Sequence, residues 1–185
     1  LMKSQQSDWT ICRLPGVYGP GDYARRFAYI GKRIKDGRTD WVVGKDYLNF
    51  KMTHAYVENV AQAIVLAAVS EGGRNRVFNI GELDTPTFRE RYEKVINVFG
   101  YKLRIYEAKD SEMDWLKRKP RVNLEQNWVV SSRRIREELG YQESVGLEEG
   151  YRRTLQWEMD TPLDTVDCDY ESEDRLIASG RCDLP

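Results

Sequence analysis

Histidine and cysteine are scarce in this sequence, and their scarcity limits the chemistry it can support. Its 185 residues include one histidine, His54, and three cysteines, Cys12, Cys168 and Cys182. A single histidine excludes metal sites that need several imidazoles, and a triad-type nucleophilic site would have to include His54. Three widely separated cysteines do not make a disulfide framework and favour reduced thiols in a cytoplasmic protein. We therefore expect no metal site and a cytoplasmic location.

The sequence also has no long apolar run and no excess of either charge. The longest purely apolar run, residues 63–69, is far shorter than the roughly 20 residues that span a bilayer. No charged and then apolar leader opens the chain, so we expect no secretory signal. The 29 basic and 30 acidic residues give a net charge of −1. We therefore expect neither a membrane nor a nucleic acid as partner.

Short β-type runs alternate with helical patterns along the chain, which predicts an α/β or α+β fold. Residues 9–14 read as a buried strand, and residues 56–69 as the strongest helix. Thr85 is predicted to cap a further helix, with Pro86 at its first position. The apolar spacing predicts the buried face of the helix at 56–69, made of Val57, Val60, Ala61, Ile64 and Ala68.

The last part of the chain is acidic. Residues 160–174 hold seven acidic side chains and no Lys or Arg. This composition predicts a solvated tail or a docking segment, with Tyr170, Leu176 and Ile177 as its only anchors.

Five motifs carry the functional information. The first, residues 13–22, is RLPGVYGPGD, a strand that breaks into a loop rich in glycine and proline. The other four are HAYVENVAQAI at 54–64, VFNIG at 77–81, SSRRIREELGY at 131–141 and LEEGYRRTLQWE at 147–158. In this order and spacing, they resemble the C-terminal half of the extended short-chain dehydrogenase/reductases, the NAD-dependent epimerase/dehydratase group. The resemblance extends over residues 8–160.

This resemblance implies an α/β fold: the C-terminal substrate-binding part of an extended Rossmann-type epimerase/dehydratase. It implies one late strand of the Rossmann sheet and a small mixed α+β lobe. Residues 1–22 would be a remnant of the Rossmann domain, residues 23–160 the substrate-binding domain, and residues 161–185 an acidic C-terminal tail. The implied ligand is a nucleotide sugar, and a homodimer is a possible assembly.

Two features of the family are missing where the resemblance would place them. No G-x-x-G-x-x-G or G-x-G-x-x-G turn occurs, so no pyrophosphate loop of that kind is present. No Tyr-x-x-x-Lys pair precedes the strand at 9–14, where the family has its catalytic acid/base. We therefore expect a fragment that has no catalytic residues and that, by itself, is inactive and binds no cofactor. The intact enzyme would use NAD or NADP for hydride transfer through a keto-sugar intermediate.

The resemblance also names candidate substrate-binding residues. Gly16 stands where the family has a substrate-contacting asparagine, whose contact is therefore missing. Trp41 and Val43 match a strand that packs against the nucleotide base. Lys51 and Arg121 match two diphosphate-binding basic residues, and a guanidinium suits phosphate oxygens. An ordinary core strand at 41–43 and a solvated basic run around Arg121 are the alternatives.

Two alternatives stay open. One is a non-catalytic binding or regulatory module that keeps the pocket of this family without its chemistry. The other is a full-length enzyme of which this sequence is only a part. An RNA-binding protein is a third interpretation, which the balanced charge disfavours. His54 is predicted to be a structural hydrogen-bonding residue rather than a catalyst.

Overall fold

The computed structural model describes residues 8–109, 111 and 123–184, and in them strands alternate with helices. The α/β class predicted from the sequence is confirmed. The strands are β1 (Thr10–Arg13), β2 (Gly16–Tyr18), β3 (Asp40–Gly44), β4 (His54–Tyr56), β5 (Arg76–Asn79), β6 (Arg104–Ala108) and β7 (Cys182–Asp183). The helices are α1 (Ala28–Lys35), α2 (Lys45–Asn49), α3 (Val57–Val69), α4 (Phe88–Val98), α5 (Arg133–Leu139), α6 (Leu147–Asp160) and α7 (Tyr170–Ala178).

The strands form three small sheets, in which the pairing is mostly parallel. β1 pairs with β5, β2 with β4, and β3 with β6, all parallel, while β7 adds to β6 in the antiparallel sense. Parallel neighbours need a crossover connection, and α3 provides one on the way to β5. The predicted strand at 9–14 is therefore β1, and its neighbour in the described sheet is β5. The expectation that this strand is buried is wrong: Ile11 is 47% exposed, because β5 is the one strand that pairs with β1 among the described residues.

Helix α3 is present as predicted, but it buries a different face. Val60 is buried together with Asn59, Ala63 and Ala67, while the predicted core residue Ile64 is exposed. Ala61 and Ala68, also predicted to be buried, are exposed as well. The reason is that α3 is apolar on nearly every side, so the spacing of its apolar residues cannot select the face that packs on the sheet.

The N-terminus of α4 is set by Thr87 rather than by the predicted cap Thr85. The Thr87 hydroxyl accepts from the backbone N–H of Glu90 at 3.2 Å, and the Glu90 carboxylate accepts from the N–H of Thr87 at 2.7 Å. This reciprocal pair satisfies two donors that a helix start leaves open. Thr85 instead meets the hydroxyl of Thr53 at 3.0 Å.

The core has two main parts. The larger lies among α1, α4 and α6 and contains a cluster of aromatic rings around Tyr18, Phe27 and Tyr151. The smaller lies between β5, α3 and α5 and is centred on Phe78 and Ile135. Gly19 allows this arrangement, because a Cβ there would lie 2.4 Å from Cγ1 of Val57 at the start of α3. The loop glycine thus permits an approach to α3.

The acidic C-terminal segment folds back on the chain, so the expectation of a solvated tail is wrong. Helix α7 packs on β3, and β7 extends the β3–β6 sheet. Leu176 is buried in this packing against Val42 and Ala108, while Leu163 and Val166 are buried against Ala28 of α1. Composition alone does not predict this packing, because the acidic residues lie mostly on the outer side of the segment and its few apolar residues are enough to anchor it. The domain boundaries at 22 and 160 stay a prediction.

Across the described part of the chain, none of the helices combines the length and apolar character needed to cross a bilayer. Cys12, Cys168 and Cys182 are partly buried thiols that form no disulfide.

Candidate substrate-binding site

Gly16 and His54 face each other at the start of two parallel strands, β2 and β4. Gly16 has no space for a side chain: a Cβ there would lie 2.8 Å from Cδ2 and 3.0 Å from Nε2 of His54. The imidazole therefore fills the volume that a residue-16 side chain would need. This explains physically why a glycine, rather than the asparagine expected from the resemblance, stands at this position.

The imidazole of His54 is held neutral. Its Nδ1 lies 2.7 Å from the carbonyl oxygen of Met52, so Nδ1 carries the proton and donates. Burial, reinforced by the positive charge of Arg91, lowers the pKa of His54 to about 3 from an ordinary value of 6.5. This fixed, buried neutral ring matches the structural role predicted for His54.

The segment after α2 meets a loop that is distant in sequence. The amide of Lys51 donates to Oδ1 of Asn127 at 2.9 Å, 76 positions away, and the amide of Trp128 donates to the Lys51 carbonyl at 2.8 Å. Thr53 continues the contact, because its amide donates to the Trp128 carbonyl at 3.0 Å. The second predicted diphosphate residue, Arg121, precedes Asn127 by a few positions and lies outside the described residues.

Trp41 and Val43 lie on β3, with side chains only 8% and 7% exposed. One neighbour of the indole is Tyr92 of α4, with ring centroids 5.0 Å apart, and another is the guanidinium of Arg33 at 4.9 Å. Both side chains are therefore packed as core residues.

Two aromatic side chains of α4 connect the candidate positions. Phe88 lies 5.8 Å from the His54 ring and 5.7 Å from Phe50, which precedes Lys51. Tyr92 stacks on Phe88 and contacts Trp41. Helix α4 is thus the shared wall behind the start of β4, the Lys51 segment and β3.

The start of α4 is not an open anion site. The Thr87 amide donates to the Glu90 carboxylate, the Glu90 amide to the Thr87 hydroxyl, and the Phe88 amide to the Phe50 carbonyl. The pKa of Glu90 is lowered mainly by the hydrogen bond from the Thr87 amide. Lys51 forms a backbone bridge with Thr87, and its positive charge also lowers the Glu90 pKa. An anion here would have to be bound by the Lys51 side chain rather than by the helix end.

A Tyr-x-x-x-Lys spacing does occur within the chain, at Tyr47 and Lys51. Helix α2 ends at Asn49 and Phe50 is extended, so the two side chains are not placed on one helical face. The Tyr47 hydroxyl lies 3.2 Å from that of Tyr92, and burial raises the Tyr47 pKa. This spacing therefore does not form the low-pKa tyrosine that the family uses for acid/base catalysis.

Sequence reasoning missed a buried polar network behind His54. Arg91, only 1% exposed, donates from Nη1 to Glu82 at 3.0 Å and to the Tyr151 hydroxyl at 2.7 Å. Burial raises the pKa of Glu82, and the Arg91 charge opposes that effect. The only signal in the sequence is an arginine in the helical pattern of α4 at a position that faces the core.

Within the described residues, no group of three His, Cys, Asp or Glu side chains could hold a metal ion.

Comparison with known proteins gives a family match for the first part of the chain. Residues 1–81 match the family model described as the NAD dependent epimerase/dehydratase family. A curated relative, the uncharacterized protein y4nL of Sinorhizobium fredii, is 25% identical over 80% of this chain and 46% of its own length.

Solved structures share the fold. The UDP-glucose 4-epimerase of Thermotoga maritima, with UDP-glucose, superposes with a TM-score of 0.60 at 24% identity, covering 81% of this chain and 45% of its own. The UDP-glucose 4-epimerase of Thermus thermophilus, with NAD, gives a TM-score of 0.61 at 22% identity, covering 84% and 48%. The chain therefore spans less than half the length of these relatives.

Proposed function

We propose that this chain forms the substrate-binding part of a nucleotide-sugar epimerase or dehydratase. It resembles the NAD-dependent epimerases/dehydratases over one part of their length. The observation that carries this proposal is the match of residues 1–81 to that family. The intact enzyme would oxidise a sugar carbon by hydride transfer and then epimerise or dehydrate the keto-sugar. We place it in the cytoplasm, where three unpaired cysteines stay reduced.

In this proposal the ligand lies along the Lys51 segment and the carboxyl end of β3. Lys51 and Arg121 hold the diphosphate, β3 at Trp41 and Val43 borders the base, and the backbone at Gly16 lies toward the phosphate side of the ligand. The hydrogen bond from the Lys51 amide to Asn127 supports this assignment, because it places the Lys51 segment against a residue six positions after Arg121 in the sequence. Charge-assisted hydrogen bonds to phosphate are among the strong ones in proteins.

The described residues do not fit a dinucleotide pyrophosphate, which needs open N–H groups at a glycine-rich helix start. Helix α3 starts directly after β4 with Glu58 in its first turn, and the start of α4 is occupied by Glu90. NAD or NADP would therefore be held by a part of the intact enzyme other than the described residues.

The test is a titration of UDP-glucose into the intact protein and its variants. A charge-assisted hydrogen bond contributes about 1.5–3 kcal/mol, so Arg121→Ala is expected to weaken binding by about tenfold or more. The matched control Lys119→Ala, in the same basic run, is expected to change the dissociation constant little. Equal affinities for the wild type and Arg121→Ala would contradict the assignment of Arg121.

The second candidate is a binding or regulatory module of the same family origin, without catalysis. It is favoured by one observation: the Tyr-x-x-x-Lys spacing in this chain is built into a buried pair of tyrosines. Binding of UDP-glucose with no turnover by the intact protein supplied with NAD or NADP would favour this alternative.

A further inference from the structure

The C-terminal helix α7 is attached to the outer strand of the β3–β6–β7 sheet by a buried ion pair. Glu173 of α7 and Arg33 of α1 are each only 1% exposed, and the Arg33 guanidinium donates to the Glu173 carboxylate. The other carboxylate oxygen of Glu173 accepts from the amide of Val42 on β3 at 3.2 Å. A buried carboxylate that bonds both a cation and a strand amide fixes the strand in one position.

The same ion pair contacts the indole of Trp41. The Arg33 guanidinium lies over that ring, 4.9 Å from its centroid, while Tyr92 borders the indole as well. Glu173 thus reaches β3 in two ways, directly at the Val42 amide and through Arg33 at the Trp41 side chain.

Further contacts fix the beginning of α7 against α1 and the turn that leads into β3. The Tyr170 hydroxyl donates to Asp36 at 2.6 Å, and the guanidinium of Arg38 lies 4.7 Å from the Tyr170 ring centroid. Arg38 also donates to Asp174 at 3.1 Å. These contacts surround the residues just before Asp40, where β3 begins. The motif resemblance ends near residue 160, so α7 lies outside the stretch that carries it.

We propose that α7 is a positioning element for the nucleotide site, in which Glu173, with Arg33, holds β3 in the register that the nucleotide base requires. The inference rests on the proposed function, since it concerns the strand assigned to the base. Glu173 and Arg33 are positioning residues: they act on the ligand through the backbone of Val42 and the ring of Trp41. Substrate affinity in this protein therefore depends on a segment that does not touch the substrate.

The experiment compares two probes, UDP and inorganic pyrophosphate, by calorimetric titration of the intact protein. UDP engages both the base and the diphosphate positions, whereas pyrophosphate engages only the basic side chains. With Glu173→Gln, which removes the charge that pairs with Arg33, we expect UDP to bind about tenfold more weakly. Pyrophosphate is expected to bind with unchanged affinity. Glu171→Gln, an exposed change on the same helix, is the control and should leave both affinities unchanged.

Hydrogen exchange of the same proteins gives a second measurement that does not depend on ligand. In Glu173→Gln the amides of β3 are expected to exchange faster, while those of β5 keep their protection. Unchanged exchange in β3, unchanged UDP affinity, or equal weakening of UDP and pyrophosphate would each overturn the inference. Failure of the wild-type protein to bind UDP at all would instead remove the proposed function on which it rests.

Discussion

At the scale of single residues, Gly16 is constrained by its neighbour rather than by its own backbone. Introducing the asparagine of the family with Gly16→Asn places a Cβ 2.8 Å from the His54 ring, which Nδ1 ties to Met52. Overpacking of this kind costs about 1–3 kcal/mol in the free energy of unfolding. Urea unfolding measures it. Gly37→Asn is the control, because its position is open and left-handed, which asparagine tolerates.

A double-mutant cycle then tests the cause of this cost. His54→Ala removes the ring that a side chain at residue 16 would meet. The variant carrying both Gly16→Asn and His54→Ala should therefore be more stable than the sum of the two single effects implies. Strict additivity would mean that the ring is not what excludes a side chain at residue 16.

His54 also makes stability depend on pH. Its folded pKa of about 3 lies below the ordinary 6.5, so between these values the unfolded chain binds a proton that the folded chain does not. The stabilisation is therefore complete above pH 6.5 and is lost as the pH falls. From pH 8 to pH 5 it amounts to about 2 kcal/mol. In His54→Gln this part of the pH dependence should vanish in urea unfolding at the two pH values, whereas an unchanged slope would assign it to other groups.

At the scale of elements, α3 and β1 each expose apolar side chains. The outer stripe of α3 consists of Ala61, Ile64, Val65, Ala68 and Val69, with Val69 75% exposed. β1 adds Ile11, 47% exposed, and has only β5 as neighbour among the described strands. Open parallel edges and apolar surfaces of this kind promote association.

We therefore expect the 185-residue chain to associate with itself through these exposed apolar side chains. Val65→Lys places a charge in the middle of the outer stripe and should shift the protein toward monomer in sedimentation velocity. Leu147→Lys, a similar change on α6, is the control and should leave the distribution unchanged. A wild-type chain that is monomeric throughout, with β1 amides protected from exchange, would contradict this expectation.

At the scale of the whole molecule, ligand binding should separate into two parts. The described residues carry a basic segment at Lys51, and α3 and α4 each have a glutamate in their first turn. We therefore expect the 185-residue chain alone to bind NAD(H) with a dissociation constant well above micromolar. A micromolar constant corresponds to a binding free energy of about 8 kcal/mol. Calorimetric titration checks this, and a micromolar constant would contradict the assignment of the dinucleotide to another part of the enzyme.

The sequence alone determined the features that depend on local pattern and motif order. The α/β class, the strand at β1, the extent of α3 and the resemblance to the epimerases/dehydratases all came from turn residues, apolar spacing and five short motifs in order. These signals are readable because each depends on residues that are close together in the chain. The sequence prediction placed the cap of α4 two residues too early. Thr85 and Thr87 are equivalent as caps by residue type, and the reciprocal hydrogen bonds with Glu90 select Thr87.

Only the tertiary structure decided which surfaces and which distant groups meet. The buried face of α3 depends on the sheet beneath it, and the imidazole that fills the place of a side chain at Gly16 comes from a neighbouring strand. The acidic segment after residue 160 looks solvated by composition, but Glu173 becomes buried because Arg33, 140 positions away, neutralises it. Such pairings are set by long-range packing, in which the favourable partner of a charge is supplied by an element that no local pattern identifies.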